Sequence, residues 1–200
     1  MSNGGSRPAV FLWSGGKDSA AALAAVREAD RYEILSLVTT VNEEYESRML
    51  EALAAHHARG ARFAIAGDIF LGDVRAYRES LFARARLGGV FPLWGRDTSD
   101  LARSAIDAGF RAVTTCCDGR VLDKGFAGRG LDLAFLASLP AGADPCGENG
   151  EFQTYVSDGP GFGHRIPFEL GEVVLRDERF YYADLIPVAP TDSERDGHEL

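Results

Sequence analysis

Ala9-Val10-Phe11-Leu12-Trp13-Ser14-Gly15-Gly16-Lys17-Asp18-Ser19-Ala20 is the stretch whose reading decides the fold of this chain. A short apolar run enters a two-glycine turn, and an alanine-rich run reaching Arg27 leaves it. That order reads as strand, turn and helix. A helix that starts just past such a turn points unpaired backbone N–H groups back at it, and its dipole favours an anion there. Glycine lets the backbone come close to phosphate oxygens. Lys17 adds a point charge, and Ser14 and Ser19 add hydroxyl donors. Asp18 would repel an anion unless a cation lay between them, which assigns this carboxylate to Mg2+. A glycine turn capped by Asp or Ser is the plainer reading of the same residues; the full run in its strand–turn–helix setting favours a nucleotide. A Walker A loop is excluded, because Asp18 follows Gly16-Lys17 and no glycine lies at the upstream spacing that motif needs.

Outward from this turn, candidate strands over 8–13, 33–40, 62–67, 90–93 and 111–117 alternate with candidate helices over 18–29, 43–59, 73–86, 97–108 and 131–138. Thr98 or Ser99 can cap the fourth helix, and Gly109 can stop it. Strands of Val, Ile, Leu and Phe separated by helices predict an α/β fold with a parallel, five-stranded, doubly wound sheet covered on both faces. Ligands of such sheets sit at the carboxyl ends of the strands. The sequence puts there residues 14–19, Gly67-Asp68-Ile69-Phe70, Trp94-Gly95-Arg96-Asp97 and Asp118-Gly119. Residues 142–163 are rich in Gly, Pro, Asp and Asn and read as a long functional loop. Apolar runs over 172–176 and 180–186, on either side of Asp177-Glu178-Arg179, predict a closing β-hairpin. The expected organisation is a disordered N-terminus (1–8), a nucleotide-binding α/β domain (9–140), a small loop-rich and β-hairpin section (141–188) and a flexible tail (189–200).

A chain of 200 residues suits one domain or one domain with a small addition. Its net charge of −9 argues against broad nucleic-acid binding, which needs Lys and Arg to displace counterions. Arg75, Arg78, Arg84 and Arg86 cluster in sequence and read as a solvated helix face. No apolar run is long enough for a membrane span, and no secretory pattern opens the chain. Cys116, Cys117 and Cys146 form no C-x-x-C pair and no zinc spacing, and their odd number fits a reducing cytoplasm. Cys116 and Cys117 read as successive strand positions, whereas Cys146, in a loop, is either reactive or inert. His56-His57 reads as a solvated position in mid-helix.

The run Ser14-Gly15-Gly16-Lys17-Asp18-Ser19 resembles the Ser-Gly-Gly-x-Asp-Ser loop of the N-type ATP pyrophosphatases, or PP-loop enzymes, whose fold is of the HUP, adenine nucleotide alpha hydrolase-like, type. From about 9 to 187 the chain resembles the diphthine–ammonia ligase family, and within it the short bacterial-type relatives. The matching segments are the loop itself, Gly67-Asp68-Ile69-Phe70 with Arg75 downstream, and Pro92-Leu93-Trp94-Gly95-Arg96-Asp97. They continue with Gly147-Glu148-Asn149-Gly150-Glu151-Phe152, which leads to Asp158-Gly159-Pro160, and more weakly with Gly128-Arg129. The resemblance implies an ATP-dependent amide ligase. A carboxylate attacks the α-phosphorus, pyrophosphate leaves, and ammonia displaces AMP from the acyl-adenylate. In that family the carboxylate belongs to diphthine, a modified histidine of translation elongation factor 2; a small carboxylate is the other candidate partner.

By the same resemblance Ser14, Gly15, Gly16 and Ser19 bind phosphate, Thr39 lies on the nucleotide, Asp18 holds Mg2+ and Lys17 neutralises the leaving pyrophosphate. Of Glu148 and Glu151, one orients ammonia or takes its proton; alternatively both cap turns or pair with Arg96 or Arg129. Arg96 and Arg129 hold the substrate carboxylate or the α-phosphate, or else form surface ion pairs. Asp68, Arg75, Gly147 and Asn149 complete the substrate side, with Asp68 also a candidate Mg2+ ligand or helix cap. Trp94 is an adenine wall or core. At Val41-Asn42 the chain is shorter than the family pattern, which has a further helix and strand there. Either the sheet is trimmed at an edge, or the Cα–Cα step there exceeds the usual distance of about 3.8 Å. Two other readings compete: a PP-loop enzyme that modifies RNA, with Cys146 handling sulfur, and a non-catalytic ATP- or AMP-binding module. A glutamine-dependent amidotransferase is not expected, since no glutaminase domain fits and Ser2, not cysteine, follows Met1.

Overall fold

The computed structural model describes residues 6–39 and 45–188. The junction at Val41-Asn42, the first five residues and the tail from 189 onward lie outside the described residues. The chain divides into two compact units, Met1–Arg96 and Asp97–Leu200.

The first unit runs β1 (Arg7–Leu12), α1 (Lys17–Ala29), β2 (Tyr32–Val38), α2 (Tyr45–Ala58), β3 (Phe63–Ile65), α3 (Gly72–Arg84) and β4 (Gly88–Val90). Its four strands are all parallel, in the order β2-β1-β3-β4. Successive strand residues point to opposite faces. Val10, Leu12 and Ala64 join Met49 and Leu53 of α2 and Leu81 and Phe82 of α3 in one apolar cluster. Ala9, Phe11 and Ile65, pointing the other way, are also fully buried, so the central strands are covered on both faces. Edge strand β2 instead alternates, with Leu35 and Leu37 facing solvent. Strand β4 forms two residues earlier than the apolar run 90–93 suggests, through Gly88 and Gly89, and has ended before Pro92, which has no N–H to donate.

The second unit runs α4 (Thr98–Asp107), β5 (Arg111–Asp118), a 3-10 turn (Lys124–Phe126), α5 (Leu133–Ser138), β6 (Phe152–Asp158), β7 (Phe168–Arg176) and β8 (Phe180–Pro187). Its sheet is antiparallel, in the order β6-β5-β8-β7. The predicted closing hairpin is present as β7 and β8. The predicted fifth parallel strand forms as β5, but it joins this antiparallel sheet, so among the described residues the parallel sheet has four strands rather than five. Six of its eight residues are buried, and a run buried on both faces carries no periodicity that distinguishes a parallel from an antiparallel partner. That partner includes β6, which lies within the stretch expected to be loop. Asp97 caps α4 by accepting the Asp100 N–H at 3.0 Å, in place of Thr98 or Ser99. Among the described residues no helix is long and apolar enough to cross a membrane.

Candidate functional site

Because β1, β2, β3 and β4 are parallel, the segments that follow them leave one edge of the sheet. Residues 14–16 follow β1, Thr39 follows β2, residues 66–70 follow β3 and residues 91–95 follow β4. Three of the four predicted convergent segments are thus at the carboxyl edge of one sheet. Asp118-Gly119 is not, since β5 belongs to the other sheet.

In the loop, Ser14 and Ser19 are joined through their hydroxyls at 2.9 Å. Ser14 Oγ accepts the Gly16 N–H at 3.3 Å, and Ser19 Oγ donates to the Gly16 carbonyl at 2.9 Å. Gly15 takes φ +81°. Gly16 is the N-cap of α1, and no side chain caps that helix. The plainer reading of a turn capped by Asp18 or a serine therefore does not describe this helix start. Lys17, the first residue of α1, has a side chain only 5% exposed, and its Nζ donates to both Asp18 carboxylate oxygens at 2.9 and 2.8 Å. An uncapped helix start beside a buried ammonium is an arrangement suited to an anion.

Gly67 presses on the first turn of α1. A Cβ on Gly67 would meet the Asp18 carbonyl oxygen at 2.9 Å and the Ser19 nitrogen at 3.2 Å, so only glycine allows this approach. The next residue, Asp68, accepts from Arg78 Nε of α3 at 3.0 Å through Oδ1. Its Oδ2 is buried without a hydrogen bond, although 2.8 Å from the same nitrogen. Burial pushes the Asp68 carboxyl above its ordinary value; Arg78 and Arg75 pull it down, and the charge of Asp18 adds to the rise. The Gly95 N–H donates to the Ile69 carbonyl at 2.8 Å, tying the segment after β4 to the segment after β3. Half-buried Trp94 lies under the Arg75 guanidinium, 4.5 Å from ring centre to Cζ, and Phe91 lies 4.8 Å from it. One face of Trp94 is therefore occupied by an arginine. Arg96 and Thr39 are exposed.

Arg129, Gly147, Glu148, Asn149 and Glu151 belong to the second unit. Asp144-Pro145-Cys146-Gly147 is a β-turn with Asp first, Pro second and Gly fourth, closed by the Gly147 N–H to the Asp144 carbonyl at 2.9 Å. Gly147 has φ +71°, and a Cβ there would meet the Phe152 carbonyl at 2.6 Å. Asp144 accepts the N–H groups of Cys146 (2.8 Å) and Glu148 (3.2 Å) and the Thr98 hydroxyl (2.7 Å). Glu151, 4% exposed, accepts the N–H groups of Asp144 (2.8 Å) and Asn149 (3.0 Å) and the Asn149 side-chain amide (3.1 Å). Its carboxylate thus fastens the loop from inside, while Glu148 is half-buried in the same loop. Arg129 donates to Ser138 Oγ at 3.0 Å and lies over the Phe126 and Phe135 rings.

All three cysteines are buried, and none of them forms a disulfide. Burial pushes the Cys117 thiol up to about 12, and the Cys146 thiol donates to the Thr98 carbonyl at 3.3 Å. No described cysteine is placed as an exposed thiolate. Sequence reasoning missed Asp144, for which the Asp-Pro-x-Gly turn was a usable signal. It also missed Arg78 and Glu79 as partners of Asp68 and Arg75; the i,i+4 spacing of Arg75 and Glu79 puts that pair on one face of α3, but nothing local joins Arg78 to Asp68.

Comparison with known proteins gives a consistent result. Residues 7–79 match the diphthamide synthase N-terminal domain, and residues 97–184 match the diphthamide synthase C-terminal domain. The chain is 29% identical over 151 residues to diphthine–ammonia ligase of Homo sapiens, covering 73% of this chain and 50% of the human protein. It is 26% identical over 182 residues to diphthine–ammonia ligase of Mus musculus, covering 82% of this chain and 62% of the mouse protein. The matched region thus spans between about half and three fifths of those relatives. With the two domains of one family matched in order, and a PP-loop at the carboxyl edge of a parallel HUP-like sheet, the chain belongs to the diphthamide synthase family.

Proposed function

We propose that this protein is an ATP-dependent amide ligase that adenylates a carboxylate and passes the acyl group to ammonia. The observation that carries the reading is the start of α1: a helix with no side-chain cap, entered through two glycines, with Lys17 buried in its first turn. The carboxylate oxygen attacks the α-phosphorus, and the bond to the β-phosphate breaks with its electron pair going to pyrophosphate. Residues 14–16, the first-turn N–H groups and the Lys17 ammonium take up that charge, with Ser14 and Ser19 holding the turn in shape. Thr39 lies at the nucleotide, Trp94 offers its remaining face to an apolar group, and Arg96 and Arg129 serve the carboxylate or the α-phosphate.

The residues present fit a magnesium ion. Mg2+ usually takes one or two carboxylates and completes its shell with water and substrate phosphates. The charge of Asp18 reaches Asp68, and Asp68 Oδ2 is a buried acceptor without a hydrogen bond. These two would hold the ion, which supplies charge neutralisation for the phosphates. Among the described residues no group of three or more metal-ligating side chains is present, so a nucleotide-borne ion suits the site better than a resident one. In the second unit Glu148 orients ammonia and accepts its proton as nitrogen bonds to the acyl carbon and AMP departs. Glu151 keeps the loop, with Gly147 and Asn149, in the shape that presents Glu148. Diphthine on an elongation factor is the substrate suggested by the relatives' names.

The test is incubation with Mg2+ and α-labelled ATP, with and without ammonium and a carboxylate-bearing extract. Labelled AMP with pyrophosphate is expected, and Lys17→Ala lowers its formation by about 100-fold or more. ADP with phosphate would overturn the reading. The buried cysteines weigh against the sulfur-transfer alternative, and Cys146→Ser leaves AMP formation unchanged.

A further inference from the structure

Arg75 is fixed by three neighbours and still presents open donors. Its Nε–H donates to Glu79 Oε1 at 2.8 Å, one turn along α3. Its Cζ stands 4.5 Å from the Trp94 ring centre and 4.8 Å from that of Phe91, which sets the plane of the guanidinium. A guanidinium carries five N–H donors, four of them on the two Nη atoms. None of those four meets a protein acceptor among the described residues, and the side chain is 32% exposed. Arg78, one turn away, is in contrast closed onto Asp68. An arginine already held in one plane loses less freedom when it grips a ligand. Trp94 follows β4, so Arg75, held on its ring, lies toward the carboxyl edge of the parallel sheet, the edge at which residues 14–19 follow β1.

We propose that Arg75 binds the pyrophosphate end of ATP, and the pyrophosphate that leaves, and that Glu79 is its positioning residue. This rests on the adenylating reading above and adds to it a second cation, opposite in origin to Lys17: one sits at the start of α1, the other on α3. A lone surface ion pair between Arg75 and Glu79 at i,i+4 would contribute little to stability and bind nothing.

The test is calorimetric titration of the full chain with inorganic pyrophosphate and, separately, with AMP, both with Mg2+. Arg75→Gln weakens pyrophosphate binding by about tenfold or more and leaves AMP within about twofold. Arg75→Lys, which keeps the charge but not the fork, recovers part of the loss. Glu79→Gln keeps an acceptor for Nε and stays near wild type, whereas Glu79→Ala falls between wild type and Arg75→Gln. Wild-type pyrophosphate affinity in a folded Arg75→Gln or Arg75→Lys variant overturns the proposal, and so does an equal loss of AMP affinity. If Lys17→Ala weakens pyrophosphate binding and the Arg75 variants do not, the adenylating reading stands while this proposal falls. If the wild-type chain binds no pyrophosphate, both fall.

Discussion

The loop at 14–19 and the loop at 144–151 are built from similar materials, glycines with acidic and small polar residues, yet they distribute their hydrogen bonds in opposite ways. The first leaves a helix start without a side-chain cap and sets a buried lysine beside it. The second turns its two main carboxylates inward, Asp144 and Glu151, onto the loop's own N–H groups. A polar loop that leaves its helix start without a side-chain cap is suited to an outside partner. A polar loop that satisfies itself is scaffold, and any chemistry on it falls to the residue it presents.

The sharpest way to break this contrast is to compare two glutamates three residues apart. Glu151→Ala leaves two backbone N–H groups and one amide without their acceptor and lowers unfolding free energy by about 2–4 kcal/mol. Glu148→Gln changes stability by less than about 1 kcal/mol and lowers ammonia-dependent turnover by about 100-fold. Urea unfolding and amide formation, measured on both variants, check this. A Glu148 variant that unfolds as readily as the Glu151 variant would erase the distinction.

Gly67→Ala tests the first loop from outside it. The added methyl drives against the Asp18 carbonyl, which costs about 1–3 kcal/mol and displaces the first turn of α1. The Michaelis constant for ATP rises more than the melting temperature alone accounts for. Gly150→Ala, with φ +88° but open space around it, is the control for backbone strain without a clash.

Two aspartates sharpen the comparison through pH. In the first unit burial holds the Asp68 carboxyl above its ordinary value. A raised native value means the native state binds the proton more tightly, so this group's contribution is favourable at low pH and is lost as pH rises through that value. In the second unit the Arg179 hydrogen bond holds Asp118 below its ordinary value. Its contribution is present above the unfolded value, near about 3.9, and is lost as pH falls through the lower native one. Asp68→Asn therefore removes a loss of stability on raising pH, and Asp118→Asn removes a loss on lowering it. Unfolding curves between about pH 3 and 7 read both slopes; slopes of the same sign would refute the assignment.

The smallest effect concerns the thiols. With Cys116, Cys117 and Cys146 buried, and Cys117 pushed up to about 12, a thiol alkylator labels none of them in the folded protein within minutes and all of them in denaturant. Intact-mass spectra give the count, and rapid labelling of native Cys146 would revive the sulfur-handling alternative.

Much of the first unit was legible because its signals are local. An apolar run, two glycines and an alanine-rich run specify strand, turn and helix within one window, and the strand candidates near 8–13, 33–40 and 62–67 lie where β1, β2 and β3 form. The β7–β8 hairpin was legible for the same reason, with two apolar runs meeting at a short charged turn. Strand β6 was hidden because Phe152-Gln153-Thr154-Tyr155-Val156 follows directly on a glycine-rich turn whose composition dominates any window placed over it.

By itself, then, the sequence determined the alternation of strands and helices, the placement of residues 14–19 at a strand end and the kinship of the stretch from about 9 to 187, since each depends on residues near one another or on motif order. Only the tertiary structure decided that β5 pairs antiparallel with β6 and β8, that Glu151 faces into its loop, that Arg78 closes Asp68 and that Arg75 lies across Trp94. Pairing and burial belong to two segments at once. The hydrogen bond or ring contact that settles a side chain's role is made with a residue outside any local window, so no run of residues, read alone, contains it.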